Sequence, residues 1–319
     1  MPQGKPVNLD LLRRTTRADF YAQIGVAEQE SLYTSVAMNV DSDSDQETYS
    51  FFGAITKPKR TDVAAGGGQV VESQPFKDYS MNLKNATWVW LQEVERDIIE
   101  DAKLDQVKIR AQSGADSGVS FQDERMSAVI EANGLAYDGV ACYAPLHHGG
   151  TGDAKDNDLT AADDAGLNIT VTTNPTTTDA ENAINAIRTR LRTLTDDQGR
   201  IANSGKMGLV LLVPPGMYRA FASVIEVGPV AGQTGNTGVF KGQATIVENP
   251  YSTNGAIGHA FVTSKPIRAV VYQKRVPWEF KFILEGDDWE KNDIGTMKGR
   301  SRFDFLLGDF KKTVRWTFS

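Results

Sequence analysis

The sequence predicts an α+β protein, and three segments carry this prediction. A helix is predicted from Thr178 to about Leu194, because a capping box opens it and apolar residues follow at helical spacing. The apolar run Met207–Val213 is typical of a strand buried on both faces, and two prolines after it lead into another apolar helix. In the tail, apolar and polar residues alternate over Trp278–Leu284, as in a strand with one buried face.

Helix and strand are also predicted towards the N-terminus. Asn8–Ile24 has the pattern of a short amphipathic helix, with apolar residues on one side and three arginines on another. Ser80–Glu95 is rich in aromatic and β-favouring residues, which indicates a long strand. The spacing becomes helical over Arg96–Asn133, although Gly114 and Gly118 argue against a single unbroken helix.

The remaining elements are predicted from shorter signals. Ser120 with Asp123 approximates a capping box inside the helical stretch. Tyr137–Tyr143 is predicted as a short strand, and His147–Asn168 as a polar loop. A glycine-rich loop, Gly228–Gly242, precedes the β-rich tail. The predicted strands of this tail are Ala269–Tyr272, Trp278–Leu284, Arg302–Leu306 and Thr313–Phe318.

The stretch Asp41–Tyr79 differs from the rest of the chain. It carries too many apolar residues for a solvated linker and too many charges for a buried core. Pro58 and Pro75 resist helix, and Gly66–Gly68 permits a turn. The simplest structure is a long two-stranded arm. Because an isolated hairpin is only marginally stable in water, such an arm needs another surface to lie on.

Composition limits the classes of function. Asp+Glu 41 against Lys+Arg 34 gives a net charge of −7, which argues against binding nucleic acid through bulk charge. The single cysteine, Cys142, excludes an intramolecular disulfide. The N-terminus has no apolar signal core, and no run approaches the length of a membrane span. We therefore expect a protein made in a cytoplasm, with no membrane partner.

Carboxylates at alternate positions of Asp41–Asp45 resemble the opening of a calcium loop. Such a loop also needs glycine at its sixth position and glutamate at its twelfth, where this chain has Gln46 and Phe52. A solvated acidic turn is the favoured interpretation.

Metal-ligand residue types also meet in the predicted polar loop. His147 and His148 precede several aspartates, but adjacent histidines point in different directions, so a surface loop is favoured over a metal site. Cys142 lies in an apolar segment and is expected to be a small buried residue. The sequence predicts no catalytic residue, no bound metal and no cofactor.

Several segments occur in a recognisable order: Tyr49–Gly53 with Lys57 and Arg60, Tyr79–Asn85, Val94–Asp101, Asn133-Gly134 with Asp138-Gly139 and His147, Leu212–Pro215, and Lys265–Ile267 with Gln273–Arg275. Together they resemble the bacteriophage Mu-like family of major head (capsid) subunits, whose members have the Hong Kong 97-type capsid fold. The tail departs from the family pattern, because Lys298-Gly299-Arg300 replaces the expected tyrosine-glycine step.

The resemblance implies a division of the chain and a role in assembly. It implies an N-terminal arm (1–48), an extended β-hairpin loop (49–90), a peripheral domain with a long spine helix (91–150 and 260–319) and an axial domain (151–259). Copies would assemble as hexamers and pentamers into an icosahedral head in the host cytoplasm, and would then reside in the virion. The expected partners are other copies, a separate scaffold, a portal, a decoration protein and weakly, non-specifically bound double-stranded DNA.

The candidate inter-subunit contacts lie on the first helix and along the extended loop. They are Arg13, Arg14, Arg17, Phe51, Phe52, Lys57, Lys59, Arg60, Val63, Gly66, Gly67, Gly68, Val70 and Phe76. Apolar side chains would be buried on a neighbour, and the cations would pair with its acidic surface.

Three other functions remain open at this point. An encapsulin-like bacterial compartment would share the fold but enclose protein cargo. A metal-dependent hydrolase would use His147, His148, Asp153 and Asp156. A phage tail or adhesion protein would account for the β-rich tail.

Overall fold

The structure is a computed structural model that describes residues 8–50, 79–101, 103–148, 154–160, 175–196, 199–227 and 238–318. The chain divides into two compact units. Unit 1 comprises Met1–Glu47, Leu83–Ala128 and Tyr272–Leu306; unit 2 comprises Thr48–Asn82, Val129–Val271 and Leu307–Ser319. In the described ranges, no helix is long and apolar enough to cross a membrane.

The described residues form helices and strands in the following order. The helices are α1 (Leu9–Glu30), α2 (Leu32–Val36), α3 (Arg96–Glu100), α4 (Leu104–Glu131), α5 (Thr177–Thr193), α6 (Pro215–Ile225) and α7 (Asp287–Lys291), with a 3-10 turn at Phe310–Lys312. The strands are β1 (Met38–Asp41), β2 (Gln46–Tyr49), β3 (Met81–Lys84), β4 (Ala86–Glu95), β5 (His147–His148), β6 (Ala154–Lys155), β7 (Asp158–Leu159), β8 (Leu209–Val213), β9 (Ala244–Glu248), β10 (Ile257–Val262), β11 (Val270–Ile283), β12 (Ile294–Leu307) and β13 (Thr313–Thr317).

Unit 1 contains a four-stranded sheet in the order β1-β11-β12-β4. Strands β12 and β4 run antiparallel, from Ile294 opposite Glu95 to Phe303 opposite Ala86. Burial alternates along β12 and over the second half of β11, where the pattern of Trp278–Leu284 predicted it, while Val270–Gln273 are all buried. Helix α1 joins this core through Phe20, whose ring stacks on Phe280 with 4.7 Å between centroids.

The helical stretch Arg96–Asn133 is divided into α3 and α4, but not at its glycines, because α4 runs unbroken through Gly114 and Gly118. A Cβ on Gly114 would lie 2.5 Å from Trp90 Cη2, and one on Gly118 would lie 2.9 Å from Trp278 Cε2. These contacts are too short for any other residue without movement of the indole rings. The two glycines therefore let the helix approach two tryptophans of the sheet, and this packing offsets their low helix propensity.

The predicted capping box at Ser120 and Asp123 is also wrong, because both residues lie inside α4. Asp123 is buried and instead accepts a hydrogen bond from the backbone N–H of Tyr33, at 2.9 Å, in the first turn of α2. Burial raises the pKa of Asp123, although backbone hydrogen bonds from Tyr33 and Leu32 oppose the shift. The Asp123 carboxylate thus accepts from the first turn of α2 and does not cap α4.

Unit 2 contains a five-stranded sheet in the order β7-β13-β10-β8-β9. Strand β8 is parallel to β9 and antiparallel to β10, and every residue of β8 is buried, as predicted. Pro215 occupies the first turn of α6, where its missing N–H costs no hydrogen bond. The core between the sheet and helices α5 and α6 is mostly aliphatic. It includes Ile184, Ile187, Leu191, Leu209, Leu211, Val213, Phe221, Ala260 and Val262.

Several predicted boundaries change in the structure. Helix α5 begins near the predicted position, but its capping box is formed by Thr176 and Asp179. The predicted strand Ser80–Glu95 is divided at Asn85 into β3 and β4. Two predicted tail strands are one continuous strand, β11, and β9 and β10 were not predicted. The predicted strand Tyr137–Tyr143 is a series of turns with a single bridge from Leu135 to Ala141.

Candidate assembly surface

The predicted contact residues from Phe51 to Phe76 lie outside the described residues. The described part of the chain does show where this segment begins and ends. Strands β2 and β3 pair in a two-stranded sheet, and Thr48 Oγ1 donates to Asn82 Oδ1 at 2.7 Å. The flanks of the predicted arm are therefore held together at its root.

The acidic turn that leads to β2 is tied to the sheet of unit 1. Asp45 pairs with Arg302 and lies 3.5 Å from Arg275 Nη1, and Asp41 lies 3.6 Å from Lys274 Nζ. These carboxylates face cations of the same chain, which agrees with the predicted turn and not with a calcium loop. The Asn85 side chain donates to the Ser44 carbonyl at 3.1 Å and joins the turn to the start of β4.

The same turn holds a serine-lined carboxylate. Ser42 Oγ and Ser44 Oγ donate to Glu47 Oε1 at 2.8 and 2.9 Å. These hydrogen bonds lower the pKa of Glu47. Ser42 also makes a backbone contact, since its N–H donates to the carbonyl of Lys274 at 2.9 Å.

The three predicted arginines of α1 differ in their surroundings. The helix starts at Asn8, whose Oδ1 accepts from the N–H groups of Asp10 and Leu11, both at 3.1 Å. Arg13 is half-buried between Asp10 and Glu285, at 3.7 and 3.8 Å, and so contacts its own chain. Such partly exposed pairs contribute little to stability.

Arg14 and Arg17 are exposed, and they share a face of α1 with Leu11 and Tyr21. The guanidinium of Arg17 lies 5.6 Å from the centre of the Tyr21 ring. This face combines cations with exposed apolar surface, which is the chemistry of a protein contact. The structure therefore leaves Arg14 and Arg17 available for an external partner and engages Arg13.

Strand β4 provides a second exposed surface, which the sequence analysis did not identify. Among the described strands, β4 is at an edge of its sheet, so one row of its backbone N–H and C=O groups has no strand beside it. Val89 and Leu91 are 49% and 64% exposed on one face of β4. A groove of about 380 Å³ lies between β4 and α4, with Leu91 and the 63% exposed Ile109 at its rim.

His147 is buried, which contradicts the prediction of a surface loop at this position. Its Nδ1 lies 2.8 Å from Asp138 Oδ2, its Nε2 lies 3.0 Å from the Cys142 carbonyl, and its ring stacks on Phe310 at 3.8 Å. Both ring nitrogens therefore lie within hydrogen-bond distance of an oxygen of the same chain. Burial opposes ionisation of Asp138, but the hydrogen bond and charge of His147 lower its pKa overall.

These contacts remove His147 from the alternative metal site. Over the described ranges, no group of three or more His, Cys, Asp or Glu residues could hold a metal ion, while Asp153 lies outside them. Cys142 is fully buried, as predicted, and burial raises the pKa of its thiol. A thiol held in its protonated form is a poor nucleophile.

Asn157 is a structural residue that the sequence analysis missed. It is fully buried, and its amide donates to the carbonyls of Cys142, Phe310 and Thr313 at 2.7, 3.2 and 3.3 Å. It thereby joins three segments that are distant in the sequence. A lone asparagine in a polar stretch gives no periodic signal, so this role could not be predicted.

The family of this chain follows from a comparison with family models. The model described as "Mu-like prophage major head subunit gpT" matches residues 9–171, about half of the chain. The chain belongs to this family. The match includes strand β4 and helix α4, and it confirms the family resemblance inferred from the sequence.

Solved structures share the fold of the gpT-family chain at low sequence identity. The procapsid subunit of bacteriophage JBD30 matches with a TM-score of 0.54 and 16% identity, over 99% of this chain and 77% of the other. The mature capsid of bacteriophage PhiM1 matches with a TM-score of 0.54 and 14% identity, over 91% and 87%. A virus-like particle from Pyrococcus furiosus gives 0.53 and 11%, over 94% and 98%. No curated protein sequence matches the chain.

The fold is thus the Hong Kong 97-type capsid fold, and the protein is a major capsid protein of a tailed phage. The fold alone does not separate a phage head from other shells, since the likeness includes the Pyrococcus furiosus particle. The gpT family match makes that separation, and it favours the head over the encapsulin-like alternative.

Proposed function

We propose that copies of this protein form pentamers and hexamers, which close into an icosahedral head around double-stranded DNA. Residues 1–48 act as an N-terminal arm. Of residues 49–90, the part before β4 acts as an extended loop that lies on a neighbouring subunit, because β4 itself pairs with β12 in the sheet of unit 1. Residues 91–150 and most of 260–319 form the peripheral domain. Residues 151–259 form the axial domain, whose sheet is completed by the strands β10 and β13. One chain must fit both five-fold and six-fold positions, and a loop pivoting at its root absorbs the difference in angle.

The observation that carries this proposal is the exposed edge of β4 beside the groove to α4. An uncovered edge strand with large apolar side chains would invite aggregation in a protein that works alone. In a head subunit the same edge is a place for a neighbouring copy, whose extended segment can pair with the strand and fill the groove. The candidate contact residues from Phe51 to Phe76 supply such a segment.

Deletion of Val63–Val71 tests the role of the extended loop. We expect a folded, soluble subunit that forms no closed shells, because the described helices and strands all lie outside the deleted segment. Circular dichroism checks the fold, and electron microscopy checks the shells. Normal shells from the deletion variant would overturn the proposal.

A matched pair of leucines tests the β4 surface. Leu91 in β4 and Leu135 after α4 are both 64% exposed. We expect Leu91→Glu to prevent shell formation while the subunit stays folded, since a charge cannot be buried on a neighbour without a partner. We expect Leu135→Glu to assemble. Equal assembly of the two variants would show that β4 is not a subunit contact.

The remaining partners follow from the role of the shell. We propose a separate scaffold, a portal, a decoration protein, and contact with packaged DNA that is weak, non-specific and dependent on salt, because the subunit carries a net charge of −7. Assembly takes place in the host cytoplasm, and the product is the virion. Nuclease-protected DNA inside native particles is the expected result; protein cargo in its place would favour a compartment.

A further inference from the structure

A basic pocket in unit 2 has no role in the assembly described above. It has a volume of about 430 Å³ and lies beside the start of the parallel strands β8 and β9. Arg188 and Arg192 of α5 line it together with Lys206. Among the described residues that line it there is no aspartate or glutamate. Three positive charges therefore converge on one cavity.

Other arginines of unit 2 form ion pairs with aspartates, unlike the three cations of this pocket. Arg190 lies 3.6 Å from Asp156, Arg200 lies 2.9 Å from Asp196, and Arg315 pairs with Asp158. In contrast, no carboxylate of the described residues pairs with Arg188, Arg192 or Lys206. Arg188 and Arg192 are also four residues apart on α5, a spacing at which like charges repel and destabilise a helix.

The charges that line the pocket repel one another and so favour a bound anion. Arg188 is half-buried, whereas Arg192 and Lys206 are exposed. Burial, together with the charge of Arg192, lowers the pKa of the Arg188 guanidinium. An anion in the pocket would offset the repulsion between the two guanidinium groups.

Arg188 is held in position by its neighbours. Its Nη1 donates to Gln243 Oε1, and its guanidinium lies 5.7 Å from the centre of the Phe240 ring. Gln243 is fixed in turn, because its Nε2 donates to the Val239 carbonyl at 2.5 Å and its backbone N–H donates to the Phe240 carbonyl at 3.0 Å. An arginine fixed in this way loses less conformational entropy when it binds a ligand.

We propose that this pocket binds a phosphate group, with Arg188, Arg192 and Lys206 donating hydrogen bonds to its oxygens. Guanidinium groups present paired N–H donors that match phosphate oxygens, and two arginines with a lysine can balance a doubly charged anion. Thr245 and Thr263 also line the pocket and carry hydroxyl donors. The phosphate can belong to a small anion or to the backbone of a nucleic acid. The proposal does not depend on the assembly contacts proposed for β4 and the extended loop.

The test is a titration of the full-length subunit, at low salt and in a phosphate-free buffer, with two probes: inorganic phosphate and a short duplex DNA. We expect the double variant Arg188→Gln/Arg192→Gln to bind at least about tenfold more weakly than wild type, because each lost charged hydrogen bond costs about that much. The variant Arg188→Lys/Arg192→Lys should bind with intermediate affinity, because it keeps the charge and loses the paired donors.

The control variant Arg219→Gln/Lys281→Gln removes two positive charges from exposed positions outside the pocket. It should bind both probes as wild type does. Phosphate should also raise the melting temperature of wild type and leave that of the Arg188→Gln/Arg192→Gln variant unchanged, which separates lost binding from lost folding.

The two probes distinguish the sources of the phosphate. Binding of inorganic phosphate alone assigns the pocket to a small anion, and variant-sensitive binding of DNA assigns it to a nucleic-acid backbone. No binding of either probe to wild type would overturn the proposal. Equal losses in the pocket variant and the control would overturn it too, since they would show a general effect of charge.

Discussion

The two units of this capsid protein pack a helix against a sheet in different ways. In unit 1, glycines of α4 lie against the tryptophan rings of β4 and β11. In unit 2, alanines and isoleucines of α5 face aliphatic residues of β8 and β10. In unit 1, glycine leaves space that a large aromatic ring fills. In unit 2, many aliphatic side chains of moderate size pack against each other.

The two interfaces therefore tolerate different substitutions. An aliphatic core loses stability when a side chain is removed, because the space left behind is only partly refilled. A glycine–tryptophan contact loses stability when an atom is added, because the helix and the ring are already in contact. Unit 2 is not wholly aliphatic, since a Cβ on Gly258 of β10 would lie 2.1 Å from Trp316 Cζ2. That contact lies within the sheet and does not involve a helix.

The largest effect is expected from Ile187→Ala in unit 2. Ile187 is fully buried on α5, so its truncation should lower the free energy of unfolding by about 2–5 kcal/mol. Denaturant unfolding of the subunit measures this change. Ile201→Ala is the matched control, because Ile201 is 52% exposed and its truncation should change stability by less than about 0.5 kcal/mol. Equal effects would mean that α5 is not part of a packed core.

A smaller effect is expected from Gly114→Ala in unit 1, which adds a methyl group where Ile187→Ala removes atoms. Alanine normally stabilises a helix by up to about 1 kcal/mol relative to glycine. Here the added methyl group would lie 2.5 Å from Trp90 Cη2, and relieving this overlap should cost about 1–3 kcal/mol. The net change should therefore be destabilising.

Gly25→Ala is the control for this prediction. Gly25 lies inside α1, and an added methyl group there would have no atom within 4 Å, so the same substitution should stabilise the subunit by about 0.5–1 kcal/mol. Pairing Gly114→Ala with Trp90→Phe should recover part of the loss, because the smaller ring makes room. If Gly114→Ala and Gly25→Ala stabilised the subunit equally, the contact between α4 and Trp90 would not limit the size of the residue at position 114.

The same contrast explains what could be predicted from the sequence. The buried residues of α6 and the alternation in β11 follow directly from the periodicity of apolar residues. The continuity of α4 does not, because Gly114 and Gly118 have low helix propensity and their partners are distant in the sequence. The periodicity of apolar residues predicts which face of a helix is buried. It does not predict which distant side chain packs against a glycine on that face.

The candidate surfaces were predicted less completely for a related reason. Arg13 contacts Asp10 and Glu285, and the contact with Glu285 exists only in the folded chain. The sequence alone therefore could not show that Arg13 is paired while Arg14 is exposed. The edge position of β4 depends on the order of strands in the sheet, which the sequence of Ala86–Glu95 does not encode locally. The arm prediction stays a prediction, since Phe51–Phe76 lies outside the described residues.

The units should also respond differently to pH, because all three histidines of the sequence lie in unit 2. Burial, aided by the charge of Arg315, lowers the pKa of His259 to about 3. In the unfolded chain the ring titrates near 6.5. Between these values the unfolded state binds more protons, so acidification favours unfolding, and the stabilisation is complete only above the unfolded pKa.

We therefore expect His259→Gln to reduce the pH dependence of stability. Acidification from pH 7 to pH 5 should cost wild type on the order of 1–2 kcal/mol more than the variant, as measured by denaturant unfolding at the two values. The variant can be less stable than wild type at both pH values without affecting this difference. Identical pH dependence in the two proteins would show that His259 is not held neutral by burial.

The smallest effect separates packing from local capping at the start of α5. Thr176 Oγ1 accepts from the Asp179 N–H at 3.3 Å, and Asp179 Oδ2 accepts from the Thr176 N–H at 2.8 Å. Thr176→Ala removes one half of this box and should cost about 1 kcal/mol, whereas Thr176→Ser should cost little because the hydroxyl remains. Both variants keep the aliphatic core of unit 2 intact. A loss from Thr176→Ala as large as that from Ile187→Ala would mean that α5 is stabilised mainly from its end, and the contrast with the glycine–tryptophan interface of unit 1 would then not rest on packing.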